Sequence, residues 1–365
     1  MTNNHDTLQM QVSRETNASV LNATQTGAQS LVEHFVARGV KHMYGVPGGD
    51  CSLDIIDAAE KFGIRFVLTR TENAAAMMAC SEAELTGSLG VVLTTRGPGV
   101  ANAANGVAYA SLDRVPMVFI SDGYDSNQDC VSHQRFDQKA MLSPVIKGAL
   151  RLDDVTSLPA VGGLLDLAMS DQPGPVYIEV TGHCMRNTIA KGSLPIRVAS
   201  RAFDPPTAQV LQLALDCVAG AQRPILVIGL QCRGKQVSQA LRAFAHKLQC
   251  PVFSTYKAKG VMPEADMQLS GYFINGAAEE ETFLSADLII MFGADPVEFP
   301  PSAFKYSSTP VLEFTNQQFN RNVYRSVLSV AGDLAQAALQ MCAGVRSSSW
   351  GADELKSIKA HMLAR

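Results

Sequence analysis

The chain has 365 residues, a formal net charge of −4 and 47% apolar residues. This length allows two or three domains, and the charge gives no sign of a surface for nucleic acid or membranes. The eight cysteines are scattered without a CxxC pair, which fits neither a zinc site nor a disulfide framework. Since the N-terminus shows no signal-peptide pattern, we predict a cytoplasmic protein with reduced cysteines and no metal ligands of its own.

The first half of the chain alternates between helix and strand patterns. Residues 1–26 are polar and lack apolar periodicity, which predicts a disordered tail. In residues 27–185, strands that are apolar on both faces alternate with helices, which indicates a mainly parallel sheet. The predicted strands are 40–44, 66–69, 91–95, 117–121 and 176–180, and the predicted helices are 26–38, 52–61, 72–85, 100–112 and 156–169.

A second α/β pattern follows a break in the sequence. Residues 186–205 contain glycine, serine and proline breaks and are predicted to be a linker, and residues 346–365 are predicted to be a tail. The predicted fold class is α/β, with two Rossmann-like or flavodoxin-like domains whose mainly parallel sheets are flanked by helices. In residues 206–345 the predicted strands are 224–229, 252–255, 288–292 and 311–314, and the predicted helices are 210–218, 235–248, 277–284 and 334–341.

Glu72 is the most informative single residue, because it lies just after the predicted strand 66–69 and opens the predicted helix 72–85. Ligands of parallel sheets gather at the carboxyl ends of the strands, so Glu72 is placed where a site would form. A glutamate in the first turn of a helix also stabilises the helix dipole without any catalytic role. Position alone favours this second, structural interpretation.

Four segments of the first domain together resemble a known superfamily. They are YGVPGGD at 44–50, RTENAAAMMA at 70–79, RGPGVANAANGVAYASLDRVPMVFISD at 96–122 and HQRFDQKAMLSPVIK at 133–147. The chain resembles the thiamine-diphosphate-dependent enzymes of the acetolactate synthase, pyruvate oxidase and 2-oxo acid decarboxylase group. Its later segments QRPILVIG at 222–229, PVFSTYKAKG at 251–260 and SADLIIMFGADPVE at 285–298 resemble the central domain of that group. The resemblance implies a pyrimidine-binding domain at 27–185 and a central Rossmann-like domain at 206–345.

The resemblance gives Glu72 a catalytic role. In the family this glutamate forms a hydrogen bond with the aminopyrimidine ring of thiamine diphosphate, and the cofactor performs the chemistry that the protein orients. Glycines also suit ordinary turns, so a purely structural role stays open for the 47–49 segment. The implied cofactor contacts, besides Glu72, are Pro47, Gly48, Pro98, Gly99 and Asn102.

The resemblance also implies substrate contacts from Gly49, His133 and Gln134. Gln134 matches a glutamine that points into the active site in many relatives. His133 stands where the synthases often have phenylalanine, and this departure weighs against acetolactate formation itself. A histidine there could bind a polar substrate or move protons, or it could be a solvated loop residue.

One part of the family pattern is missing from the sequence. Relatives bind the diphosphate and Mg²⁺ in a third domain through a GDG segment, and this chain contains no GDG. We therefore predict one subunit of a split enzyme for 2-oxo acid decarboxylation, carboligation or both. A separate GDG-containing subunit would hold the diphosphate and Mg²⁺, in a dimer or tetramer of such pairs. Two alternatives stay open: a non-catalytic nucleotide- or partner-binding module derived from such an enzyme, and a fragment of a longer synthase.

The central domain binds FAD or ADP in some relatives. Here GLQCRG at 229–234 is at best a weak glycine turn, and the chain contains no GxGxxG. We therefore predict thiamine diphosphate as the cofactor and do not favour FAD or ADP. The sequence does not identify the 2-oxo acid or its acceptor.

Overall fold

The computed structural model describes residues 23–170, 172–199, 203–319 and 323–364. Most of the predicted disordered tail, residues 1–22, lies outside these ranges. The chain divides into two compact units, Met1–Arg201 and Ala202–Arg365. Each unit contains a six-stranded sheet whose neighbouring strands are all parallel. The predicted α/β fold class, with mainly parallel sheets flanked by helices, is confirmed.

The sheet of the first unit has the order β3-β2-β4-β5-β7-β6, and β1 and β8 form a separate antiparallel pair. β3 lies on one side of β2, and β4 with the strands that follow it lies on the other side. Such a reversal is the place where open α/β sheets bind ligands. In chain order the elements are β1 (Thr24–Thr26), α1 (Gly27–Val36), β2 (His42–Val46), α2 (Cys51–Lys61), β3 (Arg65–Leu68), α3 (Glu72–Thr86), β4 (Gly90–Thr94), α4 (Pro98–Leu112), β5 (Met117–Asp122), α5 (Gln138–Leu142), β6 (Ala149–Leu152), α6 (Ala160–Met169), β7 (Pro175–Val180), α7 (Gly182–Arg186) and β8 (Thr188–Ala190).

Helices α3 and α4 pack against each other on one face of this sheet through small residues. A Cβ atom on Gly106 would overlap the Cβ of Ala76, so the two backbones approach closely only because position 106 is glycine. Thr71 caps α3 by accepting the N–H of Ala74 at 3.1 Å, and Pro98 occupies the start of α4. The packing therefore fixes two helix N-termini side by side at the carboxyl edge of the sheet.

The sheet of the second unit has the order β11-β10-β9-β12-β13-β14, so strand addition reverses between β9 and β12. The predicted C-terminal tail includes a helix, α12, which packs on β11 where Met362 meets Gly271. In chain order the elements are α8 (Ala208–Gly220), β9 (Pro224–Ile228), α9 (Lys235–Leu248), β10 (Val252–Ser254), β11 (Leu269–Tyr272), α10 (Glu280–Leu284), β12 (Leu288–Phe292), β13 (Val311–Thr315), β14 (Leu328–Ala331), α11 (Leu334–Gly344) and α12 (Ala352–Leu363).

Some elements differ from the sequence-based expectations. The predicted helix 156–169 begins at Ala160, after a short 3₁₀ turn at Val155–Ser157, because Pro159 has no N–H to continue a helix from before it. Part of the predicted linker forms β8, which pairs with β1. The domain boundaries of the sequence analysis stay predictions. Within the described ranges, no helix is both long enough and apolar enough to span a membrane.

Candidate active site

The predicted site residues follow strands of the first sheet at their carboxyl ends. Parallel neighbours place these ends at the same edge, so the fold brings the residues to one side of the sheet. Residues 47–49 follow β2, Glu72 follows β3, Pro98 and Gly99 follow β4, and His133 and Gln134 lie in the long loop after β5.

Glu72 is the first residue of α3 and is partly buried. Its Oε2 accepts a hydrogen bond from Nδ2 of Asn102, on α4, at 3.2 Å. Over the part of the chain that the structure describes, Oε1 has no hydrogen-bond partner. Two of the predicted cofactor residues, from two different helices, thus contact each other and leave one carboxylate oxygen available to a ligand.

A second amide contact lies one turn further along the same helix pair. Nδ2 of Asn105 donates to Oδ1 of Asn73 at 3.1 Å, beside the close approach at Gly106. Sequence reasoning missed this pair, although Asn73 and Asn105 follow Glu72 and Asn102 by one and three positions. The Asn73–Asn105 contact is a second polar contact between the two helices, and it involves neither Glu72 nor Asn102.

The 47–49 segment lies against Asp122, a residue that the sequence analysis missed. Asp122 ends β5 and is fully buried. It accepts the N–H of Ser52 at 2.8 Å and the thiol of Cys51 at 3.2 Å. Burial raises the pKa of Asp122, against the hydrogen bonds from Cys51 and Ser52, which lower it. A Cβ atom on Gly48 would lie 2.6 Å from both Oδ2 of Asp122 and Oγ1 of Thr95. Gly48 is therefore required for the turn to lie against this carboxylate.

A chain of ion pairs crosses the same edge of the sheet. Asp50 pairs with Arg96, which follows β4, and with Arg186 at 3.0 Å. Arg186 also pairs with Asp54 at 2.8 Å. The guanidinium of Arg96 lies 4.1 Å from the centre of the Tyr124 ring, a cation–π arrangement. These contacts connect the turn after β2, the turn after β4 and the loop after β5.

The loop that carries His133 and Gln134 lies directly on the turn before α4. Gln134 has a left-handed backbone with φ of 56°, an uncommon conformation for a residue with a side chain. A Cβ atom on Gly97 would overlap the carbonyl oxygen of Gln134, and the Tyr124 hydroxyl donates to the carbonyl of His133. Both predicted side chains are exposed. Among the described residues, no hydrogen bond joins the side chain of His133 or Gln134 to Glu72.

Gln138 connects this loop to the sheet through all of its amide atoms. It is 5% exposed. Its Oε1 accepts the N–H of Gly97 at 2.7 Å, and its Nε2 donates to the carbonyl of Asp122 at 3.3 Å and to Oε2 of Glu179 at 3.1 Å. No local sequence pattern indicates this role, because the partners lie 16 to 41 positions away along the chain. The loop, the turn before α4 and the ends of β5 and β7 therefore form one polar network.

A cavity of about 210 Å³ lies under the loop. Two of its charged lining residues, Arg151 and Glu179, form an ion pair with each other. The lining consists of Arg96, Gly123, Tyr124, Gln134, Arg135, Phe136, Asp137, Gln138, Arg151 and Glu179.

Two family models match the chain, one in each half. Residues 25–141 match the model of the thiamine pyrophosphate enzyme N-terminal TPP binding domain. Residues 211–341 match the model of the thiamine pyrophosphate enzyme central domain. The chain belongs to the thiamine pyrophosphate enzyme superfamily and contains its N-terminal and central domains.

Individual relatives cover more than one reaction. The chain is 32% identical over 283 residues to the acetolactate synthase large subunit of Buchnera aphidicola, which covers 73% of this chain and 48% of the relative. It is 28% identical over 282 residues to the acetolactate synthase of Bacillus subtilis, with 75% and 49% covered. It is 28% identical over 322 residues to a protein of Pseudomonas aeruginosa named as a probable 2-ketoarginine decarboxylase, with 86% and 57% covered. The chain thus spans about half the length of the curated relatives that it matches.

Proposed function

We propose that this chain supplies the aminopyrimidine-binding half of a thiamine diphosphate site, in an enzyme that decarboxylates a 2-oxo acid, joins it to an acceptor, or both. The observation that carries the proposal is the placement of Glu72. Its carboxylate lies at the carboxyl edge of the first sheet, between the N-termini of two packed helices, and is held by Asn102. The matches to thiamine pyrophosphate enzyme models support the choice of cofactor.

The residues at this edge fit an aminopyrimidine ring. Oε1 of Glu72 is available to a ring nitrogen, while Asn102 holds Oε2 and so fixes the plane of the carboxylate. A charge-assisted hydrogen bond of this kind is short and strong. When bound, thiamine diphosphate would supply the electron sink for the carbon–carbon bond that breaks in decarboxylation. Glu72 would hold or release a proton at the ring nitrogen, Pro98 and Gly99 would pack beside the ring, and Pro47 and Gly48 would face it from the turn after β2.

The substrate side of the site is proposed to include Gly49, His133 and Gln134. Gly49 leaves open space at the turn after β2, because a Cβ atom there would meet nothing within 4 Å. The exposed side chains of His133 and Gln134 offer hydrogen-bonding groups to the carboxylate or carbonyl of a 2-oxo acid. Because the relatives are named for a synthase and a decarboxylase, we propose the 2-oxo acid class and leave the acceptor open.

The diphosphate and Mg²⁺ are proposed to be held by a diphosphate-binding domain outside this sequence. We propose that a separate GDG-containing subunit carries that domain, in a dimer or tetramer of pairs. The absence of GDG from these 365 residues supports only the placement of that domain outside them.

The test is to purify the tagged chain from its own cell and to identify the chains that accompany it. Carbon dioxide release from 2-oxo acids, with pyruvate as the first probe, is then measured with thiamine diphosphate and Mg²⁺. We expect a GDG-containing subunit in the active assembly and no activity from the isolated chain. Activity from the chain alone would contradict the separate subunit, and an assembly inactive on every 2-oxo acid would favour a non-catalytic module.

A further inference from the structure

The second sheet has its own reversal of strand order, with polar contacts at the carboxyl ends of the strands beside it. Strand addition reverses between β9 and β12, and in open α/β sheets ligands bind in the crevice outside the strand ends at this point. Dinucleotides bind there by placing their diphosphate on backbone N–H groups. The loops after β9, β10 and β12 would form such a crevice in this unit.

The carboxylate of Glu298 occupies the centre of this region. Its two oxygens lie 3.0 and 2.9 Å from the backbone nitrogen of Leu230, after β9, and Oε2 also accepts the N–H of Asp295, after β12, at 2.8 Å. Oε1 accepts the hydroxyl of Thr255, after β10, at 2.5 Å. Hydrogen-bond donors that follow three neighbouring strands of the sheet therefore converge on one carboxylate. Donors would converge on the phosphate of a ligand in the same way.

The loops around Glu298 are also joined directly to each other. A Cβ atom on Gly229 would overlap the backbone of Ala294, so the loops after β9 and β12 touch. The N–H of Gln231 donates to the carbonyl of Gly293 at 2.9 Å. The side-chain oxygen of Gln231 accepts the N–H of Asn316, after β13, at 2.8 Å. These contacts join the loops after β9, β12 and β13 to one another.

We infer that this crevice is an anion site whose ligand is the chain's own Glu298, and that the second unit binds neither FAD nor ADP there. The inference is independent of the proposed catalytic function, because it concerns the second unit alone. Burial raises the pKa of Glu298 to about 7, against hydrogen bonds from Asp295, Thr255 and Leu230, and the charge of Asp295 raises it further. The residue is partly exposed, but its carboxylate is enclosed by the four donor contacts.

Removal of the carboxylate leaves a site that a small anion can fill. In Glu298→Ala, the N–H groups of Leu230 and Asp295 and the hydroxyl of Thr255 lose their acceptor, which costs stability. Formate has the same carboxylate group and can take the vacated position. A ligand that binds only the folded state raises its melting temperature.

The experiment measures thermal unfolding of the full chain by tryptophan fluorescence at about pH 8.5, where Glu298 is ionised. The single tryptophan, Trp350, is buried in the second unit, and its Nε1 donates to the carbonyl of Pro224 at 2.8 Å. We expect Glu298→Ala to melt lower than the wild type and to recover half or more of the loss in sodium formate, but not in sodium chloride of equal concentration. The wild type and the exposed control Glu281→Ala should show no response to formate.

A second variant keeps the test decisive if Glu298→Ala does not fold. Glu298→Gln fills the same volume, but its NH₂ group cannot accept a hydrogen bond, so we expect it to melt lower and not to respond to formate. An unchanged melting temperature for Glu298→Gln, or no formate response for a folded Glu298→Ala, would overturn the inference. Stoichiometric binding of FAD or ADP by the wild-type chain, measured by calorimetry, would also overturn it.

Discussion

At the scale of single residues, the contact between Glu72 and Asn102 is the core of the candidate site. A carboxylate that forms a hydrogen bond with a ring nitrogen must lie in a fixed plane, and a second hydrogen bond can hold it there. A catalytic group gains from such pre-orientation. Asn102 provides this contact at 3.2 Å from the next helix. We therefore expect Asn102 to act as a positioning residue for Glu72 as well as a cofactor contact.

The variant Asn102→Leu tests this contact. It removes a hydrogen bond to a charged group, worth about 1.5–3 kcal/mol, so we expect decarboxylation by the native assembly to fall at least ~10-fold. The melting temperature should change little, because Asn102 is exposed. The matched control is Asn105→Leu, one turn along α4, which removes the contact with Asn73. Equal losses of rate in the two variants would contradict a specific role for Asn102.

His34 makes a second residue-scale prediction, about pH. It is 4% exposed, neither ring nitrogen has a hydrogen-bond partner among the residues that the structure describes, and its pKa falls from 6.5 to about 4. Burial is the main cause, Arg38 lowers the pKa further, and Asp166 opposes the change. Between these two values the unfolded chain binds more protons than the folded chain, so the free energy of unfolding falls as the pH drops from 6.5 towards 4.

The measurement is urea unfolding of the wild type and of His34→Leu between pH 7 and 5. A leucine cannot take up a proton, so the loss of stability on acidification should be smaller in the variant, by up to about 1.4 kcal/mol per pH unit. Other groups titrate in both proteins, and the difference between the two curves isolates His34. Parallel curves would show that His34 does not stay neutral in the folded state.

The residues of the site differ in how far the sequence could predict them. Glu72 could be identified as a candidate, because a carboxylate just beyond an apolar run is a local pattern, and the family resemblance then gave it a catalytic role. The run itself, predicted as a buried strand, is the partly exposed edge strand β3. Asp122 and Gln138 could not, because their roles depend on partners that only the folded sheet brings near, such as Ser52 and Gly97. Local sequence carries no record of such distant contacts.

At the scale of elements, the close packing of α3 against α4 sets the geometry of the site. The sequence indicates close packing through the small residues on one face of the helix 98–112. It does not indicate which element packs against that face. The structure supplies the partner: Gly106 lies against Ala76. This contact determines how far apart Glu72 and Asn102 can be.

The variant Gly106→Ala should therefore destabilise the first unit. The added Cβ would overlap Ala76, and overpacking of this kind costs about 1–3 kcal/mol. The matched control is Gly163→Ala in α6, where an added Cβ would meet nothing within 4 Å. This substitution should stabilise the helix by about 0.5–1 kcal/mol. Urea unfolding followed by circular dichroism measures both changes. A stable Gly106→Ala chain would show that the two helices can move apart freely.

Three of the strands that the sequence analysis missed share a position in the fold. β6, β11 and β14 each lie at the edge of a sheet, and each mixes buried with partly exposed residues. Central strands are covered on both faces and show continuous apolar runs, which the sequence analysis could recognise. β6, β11 and β14 lack this signal, whereas the edge strand β3 contains the apolar run Phe66–Leu68 and was predicted.

At the scale of the whole molecule, the two units have different relations to ligands. The first collects candidate cofactor and substrate residues at the carboxyl edge of its sheet, while the second fills the corresponding edge with Glu298 and Gln231. The first unit is thus the one suited to a cofactor, and the second is proposed to be closed at its crevice. The separate subunit, the oligomeric state and the cytoplasmic location stay predictions.

The most direct test of the account is the substitution Glu72→Gln in the purified native assembly. Loss of a positioned proton-transfer group lowers rates by about 10²–10⁴-fold, so we predict that decarboxylation of the 2-oxo acid falls at least ~100-fold. The control Glu82→Gln lies on the same helix, where Glu82 pairs with His42 at 2.7 Å, and it should keep most of the activity. A Glu72→Gln assembly with an unchanged rate would contradict the central role of this carboxylate.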